Sequence, residues 1–151
     1  MKHWSKPKPA DPESFAKSLR SKGLKTTPLR LAVHGVMMEK VHAGAEEVYQ
    51  AIIAKNERKA TRTGIYNILN ELADKGIYAR RPSPAGKMFF DVNAFRHVHL
   101  YDSRNRQLID VDGQEMLESV ESSLRGRRFR GYRIDDFDVQ IICHPTRKKL
   151  I

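Results

Sequence analysis

Two imidazoles one residue apart, His97 and His99, are the side chains of this sequence with the most readable chemistry. In an extended stretch, residues two apart project from the same face, so the pair would offer two nitrogen ligands side by side. The surrounding run, Asp91-Val-Asn-Ala-Phe-Arg-His97-Val-His99-Leu-Tyr-Asp102, adds carboxylates, and His42 and Asp110 form another candidate pair further away. Nitrogen and carboxylate donors gathered from distant segments hold a divalent metal ion, and the ion clamps the segments that supply them. A hydrolytic centre would also need an open coordination position, a general base and a substrate pocket. Nothing beyond the ligands suggests these, so the expectation is a protein that is not an enzyme.

These ligands need a fold to position them, and composition limits the choice. With 151 residues, 40% of them hydrophobic, the chain suffices for one sizeable domain or two small ones. Its net charge of +10 is uneven: residues 1–86 hold 16 Lys+Arg against 8 Asp+Glu, and residues 87–151 hold 12 against 10. The basic half is the one expected to meet a polyanion. No apolar run approaches the roughly 18 residues of a membrane span, and the first residues lack the apolar core of a secretory signal. The expected location is cytoplasmic, with no membrane partner. A single cysteine, Cys143, excludes an intramolecular disulfide and a Cys-X-X-Cys zinc site. On an apolar strand it reads as inert packing.

Residues 1–10, His3 among them, read as a flexible arm. Asp11-Pro12 opens a helix that Gly23 stops, and Thr27-Pro28 opens a second with Leu29, Leu31, Val33, Val36 and Met37 as its apolar stripe. His34 within that stripe reads as a buried structural histidine. A third helix over 45–55 turns Val48, Tyr49, Ile52 and Ile53 inward. The fourth, over 61–75 with Gly76 as its stop, buries Ile65, Ile68, Leu69 and Leu72. Its other face carries Thr63, Tyr66, Asn67 and Asn70, with Thr61 and Arg62 at its start. Such a face suits a major groove, where amides and phenols meet base edges. Lys25, Arg30 and Arg62 are the expected phosphate contacts. Apolar stretches at 77–81 and 88–92 flank Ser83-Pro-Ala-Gly86, a hairpin signal, and Arg80, Arg81 and Lys87 would charge this wing. Beyond it come strands at 97–101 and 107–111, a helix at 114–124, an arginine-rich loop at 125–131 and a strand at 137–143. A module this small favours pairing with a second copy.

Gly23-Leu-Lys-Thr-Thr-Pro-Leu-Arg30, His42-Ala-Gly-Ala-Glu-Glu-Val-Tyr49, Gly64-Ile-Tyr-Asn-Ile-Leu-Asn70, Phe90-Asp91 and His97-Val-His99-Leu together resemble the ferric uptake regulator family of metal-dependent transcription factors. The resemblance covers about residues 20–143. It implies an α+β fold, a winged helix-turn-helix domain over 11–92 followed by a small α/β dimerisation and metal-sensing domain over 93–151. It further implies a homodimer on a double-stranded DNA operator, and a regulatory site at His42, Asp91, His97, His99 and Asp110. Three imidazoles and two carboxylates imply one divalent metal per subunit, Fe2+ or Mn2+, with Zn2+ admitted by intrinsic affinity. The implied function is metal-dependent, sequence-specific regulation, read as repression, of iron, manganese or oxidative-stress genes.

The departures from the family pattern carry information too. Asp102 and Asn105 stand where many members place two zinc-binding cysteines, and the second cysteine pair is missing, so no structural four-cysteine zinc is expected. Arg96, Val98 and Phe137 stand where several members have the His, Asp and His of a further site, which is expected to be lost. The ligand set is most similar to the peroxide-responsive branch. The missing zinc, Asn67 and the ending Phe-Asp-Val-Gln-Ile-Ile are similar to the iron response regulator branch, which admits haem and gives a haem-responsive iron-status regulator as the alternative. No Cys-Pro haem motif accompanies it, because His144 follows Cys143. A metal-binding module with RNA affinity is the remaining alternative, resting on the arginine-rich loop.

Overall fold

The structure, a computed structural model, describes residues 4–55 and 59–147; His3 lies outside the described residues. Two compact units divide the chain, Lys8–Phe95 and a second made of residues 4–7 and 96–147. The fold is α+β.

In the Lys8–Phe95 unit, each helix starts where the sequence provides an oxygen to hold the first free amides. Asp11 Oδ1 accepts from the Ser14 amide at 2.7 Å ahead of α1 (Pro12–Ser21), and Thr27 Oγ1 from the Arg30 amide at 3.2 Å ahead of α2 (Pro28–Lys40). Thr61 Oγ1 does the same for the Gly64 amide ahead of α4 (Arg62–Asp74). The intervening α3 (Ala45–Ala54) follows Gly44, whose amide donates to Glu47 Oε1; glycine has no side chain to return the bond. Gly76 ends α4 at φ +73°, a conformation free of Cβ cost only for glycine. The core joins Phe15, Leu19, Val33, Val36, Met37, Val48, Ile52, Ile65, Leu69, Leu72, Tyr78 and Phe90. Two expected core residues are outside it. Leu31 and Ile53 are exposed, because the buried arcs of α2 and α3 run through Val33, Val36 and Met37 and through Val48 and Ile52.

A small sheet completes this unit in the order β1-β3-β2, all neighbours antiparallel: β1 (His42–Ala43), β2 (Ala79–Pro82) and β3 (Met88–Asp91). The hairpin starts two residues later than its apolar pattern, since the amides of Ile77 and Tyr78 are taken by the Leu72 carbonyl at the end of α4. β1 is only two residues long, too short to show an alternating pattern in the sequence, and it places His42 on a strand.

The second unit holds β4 (Val98–Asp102), β5 (Gln107–Val111), α5 (Gln114–Leu124) and β6 (Gln140–Cys143). Its sheet order is β5-β4-β6, with β4 antiparallel to β5 and parallel to β6. A side chain at Gly113, before α5, would place Cβ 2.3 Å from Val98 Cγ2, so glycine is the residue that lets α5 close on β4. β6 begins at Gln140 rather than at 137 because Phe137 is occupied elsewhere: the Arg96 guanidinium stacks 3.9 Å from its ring centroid and pairs with Asp136. Arg96 and Phe137, two positions expected to have lost metal-ligating residues, thus meet in a cation–π contact. Asp102 and Asn105 meet as well. Asp102 Oδ1 accepts from the Arg104 and Asn105 amides at 2.9 and 3.0 Å, and Oδ2 from Asn105 Nδ2 at 2.8 Å. These bonds, that from the Asn105 amide first, hold the Asp102 carboxyl below its ordinary pKa.

Candidate metal centre and nucleic-acid interface

Strand register places a histidine opposite an aspartate twice, once in each unit. In the Lys8–Phe95 unit, His42 on β1 is the cross-strand partner of Asp91 on β3, and His42 Nε2 lies 3.5 Å from Asp91 Oδ2. Asp91 is fully buried. Its Oδ1 accepts from the Asn93 amide at 2.9 Å and its Oδ2 from Arg81 Nε at 3.1 Å. Just before His42, Val41 sits at φ +64° and ψ −50°, a region that costs a β-branched residue of order 1–3 kcal/mol.

In the second unit, His99 on β4 is the cross-strand partner of Asp110 on β5, with Nε2 3.1 Å from Asp110 Oδ1. His97, two residues back on the same face, brings its Nε2 to 3.0 Å from that oxygen. The rings are 4.3 Å apart at 52°, and each of the three residues offers a ligand atom within 4.8 Å of the others'. All three are buried. Borderline imidazole nitrogens beside hard carboxylate oxygens, shielded from water, form a donor set that fits iron(II), manganese(II) or zinc(II). The residues present therefore fit a divalent metal.

On α4, Arg62, Thr63, Tyr66 and Asn67 form one exposed face, with Tyr66 at 53% exposure, and Thr61 caps the helix. Asn70, half-buried, is drawn aside, its Oδ1 accepting from Arg80 Nε and Nη2 while Arg80 also pairs with Asp74. Arg62 lies over the Tyr49 ring at 4.5 Å and donates to Glu46 at 3.0 Å, which holds the exposed Glu46 carboxyl below its ordinary pKa. Arg30 pairs with Glu71 at 2.8 Å and donates to the carbonyl of Lys25, whose side chain is exposed. Glu46, Tyr49 and Glu71 are site neighbours that the sequence reading missed, since only the fold brings them to these arginines.

The wing differs from expectation in one side chain. Alternation along β2 turns Arg80 outward and Arg81 inward, so Arg81 is buried against Asp91 and adds no charge to the surface. Lys87 is paired with Glu47. His34 is buried as expected, stacked 3.8 Å from Phe15. Its Nε2 donates to the Ala10 carbonyl at 2.7 Å, and in the neutral ring its Nδ1 accepts from the Tyr78 hydroxyl at 2.6 Å. Cys143 is half-buried on β6, its Sγ 3.7 Å from the Tyr101 carbonyl.

Comparison with known proteins adds an independent line. The sequence profile of the Ferric uptake regulator family matches residues 21–141. The chain belongs to the ferric uptake regulator family. It is 29% identical over 113 residues to the ferric uptake regulation protein of Escherichia coli K12, covering 74% of this chain and 71% of that protein. Its fold is similar to that of the Vibrio cholerae ferric uptake regulator, with a TM-score of 0.69 at 22% identity over 86% of this chain and 98% of that one. The Pseudomonas aeruginosa ferric uptake regulator, solved with manganese, gives 0.66 at 21% identity over 87% and 97%. Ferric uptake regulator proteins are metal-responsive, DNA-binding transcription regulators. Among the described residues, no helix is long and apolar enough to cross a membrane.

Proposed function

We propose that this protein is a metal-dependent, sequence-specific DNA-binding repressor of the ferric uptake regulator family, working in the cytoplasm by binding rather than catalysis. His42 and Asp91 from one unit and His97, His99 and Asp110 from the other ligate a single divalent ion per subunit, Fe2+ or Mn2+ ahead of Zn2+. Two histidine–aspartate pairs with buried aspartates, each fixed by strand register and one in each compact unit, are the observation that carries this reading. The relative named for ferric uptake regulation and the neighbour solved with manganese support the choice of ion.

A bound ion would supply a positive charge for these imidazole and carboxylate donors to hold. The chain does the rest. Its β1–β3 and β4–β5 ladders hold the imidazoles and carboxylates, and α4 offers Tyr66 and Asn67 to base edges, flanked by Thr63 and Asn70. Thr61 sets the start of that helix, and Lys25, Arg30 and Arg62 meet phosphates. The domain over 11–92 reads DNA, and that over 93–151 dimerises and senses metal. β6 lies at a sheet edge with Ile142 63% exposed, a surface suited to a second copy of the chain. Metal then favours the DNA-binding conformation through its stronger binding to that state, a coupling of about 1–3 kcal/mol.

Footprinting on genomic promoter fragments, with Mn(II), Fe(II), Zn(II), haem or EDTA, tests this. The expected result is a discrete protected site with Mn(II) or Fe(II) that fades in EDTA and in His42→Ala. Protection that is equal in EDTA, or that answers to haem alone, overturns the reading.

A further inference from the structure

Arg81 is a buried charge that neither the DNA-reading face nor the ligand set uses. Only 5% exposed, it points into the Lys8–Phe95 unit from β2. Burying a guanidinium is costly unless it is paired and hydrogen-bonded. Here Nε donates to Asp91 Oδ2 at 3.1 Å, and Nη2 donates to the carbonyls of Asn93 at 3.3 Å and Phe95 at 3.1 Å. The oxygen it holds, Oδ2, is also the one that faces His42 Nε2 at 3.5 Å. The other oxygen, Oδ1, accepts from the Asn93 amide, so both oxygens of the carboxylate are already engaged and its orientation is held from two sides. A metal bound by His42 and Asp91 therefore draws on a carboxylate that already carries a fixed positive partner, and like charges that close in a dry site repel.

We propose that Arg81 is an internal competitor for Asp91, a tethered cation that neutralises this carboxylate when metal is absent and so raises the metal concentration at which the site fills. The proposal rests on the metal-centre reading above. A purely structural arginine would change folding stability when replaced and leave metal affinity where it was. A competitor does the opposite at the metal: removing its charge tightens binding. Arg81→Gln keeps an amide donor for Asp91 without the charge, and Arg81→Lys keeps the charge without the planar fork.

The test is Mn(II) uptake by the full-length protein, followed as loss of the free-ion electron paramagnetic resonance signal, beside thermal melting in EDTA. Arg81→Gln should bind Mn(II) about tenfold more tightly than wild type, and Arg81→Lys within about threefold of it. A folded Arg81→Gln that binds equally or more weakly overturns the proposal. Should that variant not fold, wild type decides: its Arg81 Nε–H resonance, assigned by its absence in Arg81→Lys, should exchange with water about tenfold faster on saturation with Zn(II) if Asp91 is released to the metal. Unchanged exchange overturns the proposal. Asp91→Asn separates the two failures. If wild type binds no Mn(II), or Asp91→Asn binds it equally, the metal-centre reading falls and Arg81's role falls with it. If Asp91→Asn weakens binding while Arg81→Gln changes nothing, only the competitor is lost.

Discussion

His34 shows how much a single side chain can commit this fold to one protonation state. Burial holds its pKa below the ordinary 6.5, against the opposing pull of the Ala10 carbonyl and Asp11. The unfolded chain protonates near 6.5 while the folded one stays neutral, so the unfolded state binds more protons as pH falls. Stability is full above that pH and declines as pH drops from 6.5 toward the lower folded value. Full-length protein in EDTA should therefore lose more melting temperature between pH 7 and about 5.5 than His34→Gln does. Equal losses would mean that the ring accepts a proton where it lies. This histidine was legible as structural because it interrupts an apolar stripe. Arg81 was misread because a charged residue beside a hairpin turn looks solvated, and only the pairing of β2 with β3 reveals that it and Asp91 share an interior.

Element by element, the helices were the more readable part, since each carries its own cap, periodicity and stop: Asp11, Thr27 and Thr61 open three of them, and Gly76 closes α4. The sheets were less so. β1 exists because β3 pairs with it, and a two-residue strand leaves no periodic trace in sequence. For the same reason spacing alone put His97 and His99 side by side, whereas His42 and Asp110 could be named only as a distant candidate pair, and the full set of five is what the family resemblance implied. β6 runs parallel to β4, a pairing across some forty residues that no local pattern announces. Gly113 is where two elements touch most closely. Gly113→Ala would drive a methyl into Val98, which sits between His97 and His99, and overpacking of this kind costs typically 1–3 kcal/mol. Chemical denaturation should show that loss. A melt unchanged from wild type would mean that α5 can slide off β4 without penalty.

At the scale of the whole molecule, charge was the clearest signal. The net excess of eight positive charges in residues 1–86 suits a phosphate backbone, and binding that releases counterions weakens steeply with salt. Arg62→Ala should lower affinity for specific and random duplexes alike and reduce the salt slope by about one. Asn67→Ala should mainly erode the preference for the specific site. Fluorescence anisotropy across a salt series distinguishes them, and identical behaviour of the two variants would remove the division of labour assigned to α4. The α+β architecture and the order of its elements other than β1 could be read from the chain. Which strands neighbour which could not, because register is settled by long-range pairing. The hydrogen-bonded corner between β4 and β5 has a practical consequence: Asp102 and Asn105 bring amides and a carboxylate where thiolates would offer sulfur to oxidants and a bound ion to chelators. The bonds from the Arg104 and Asn105 amides and from Asn105 Nδ2 that shape this bend therefore depend on neither the oxidation state of a sulfur nor an ion, while the Cys143 thiol lies opposite Asp102 on the neighbouring strand.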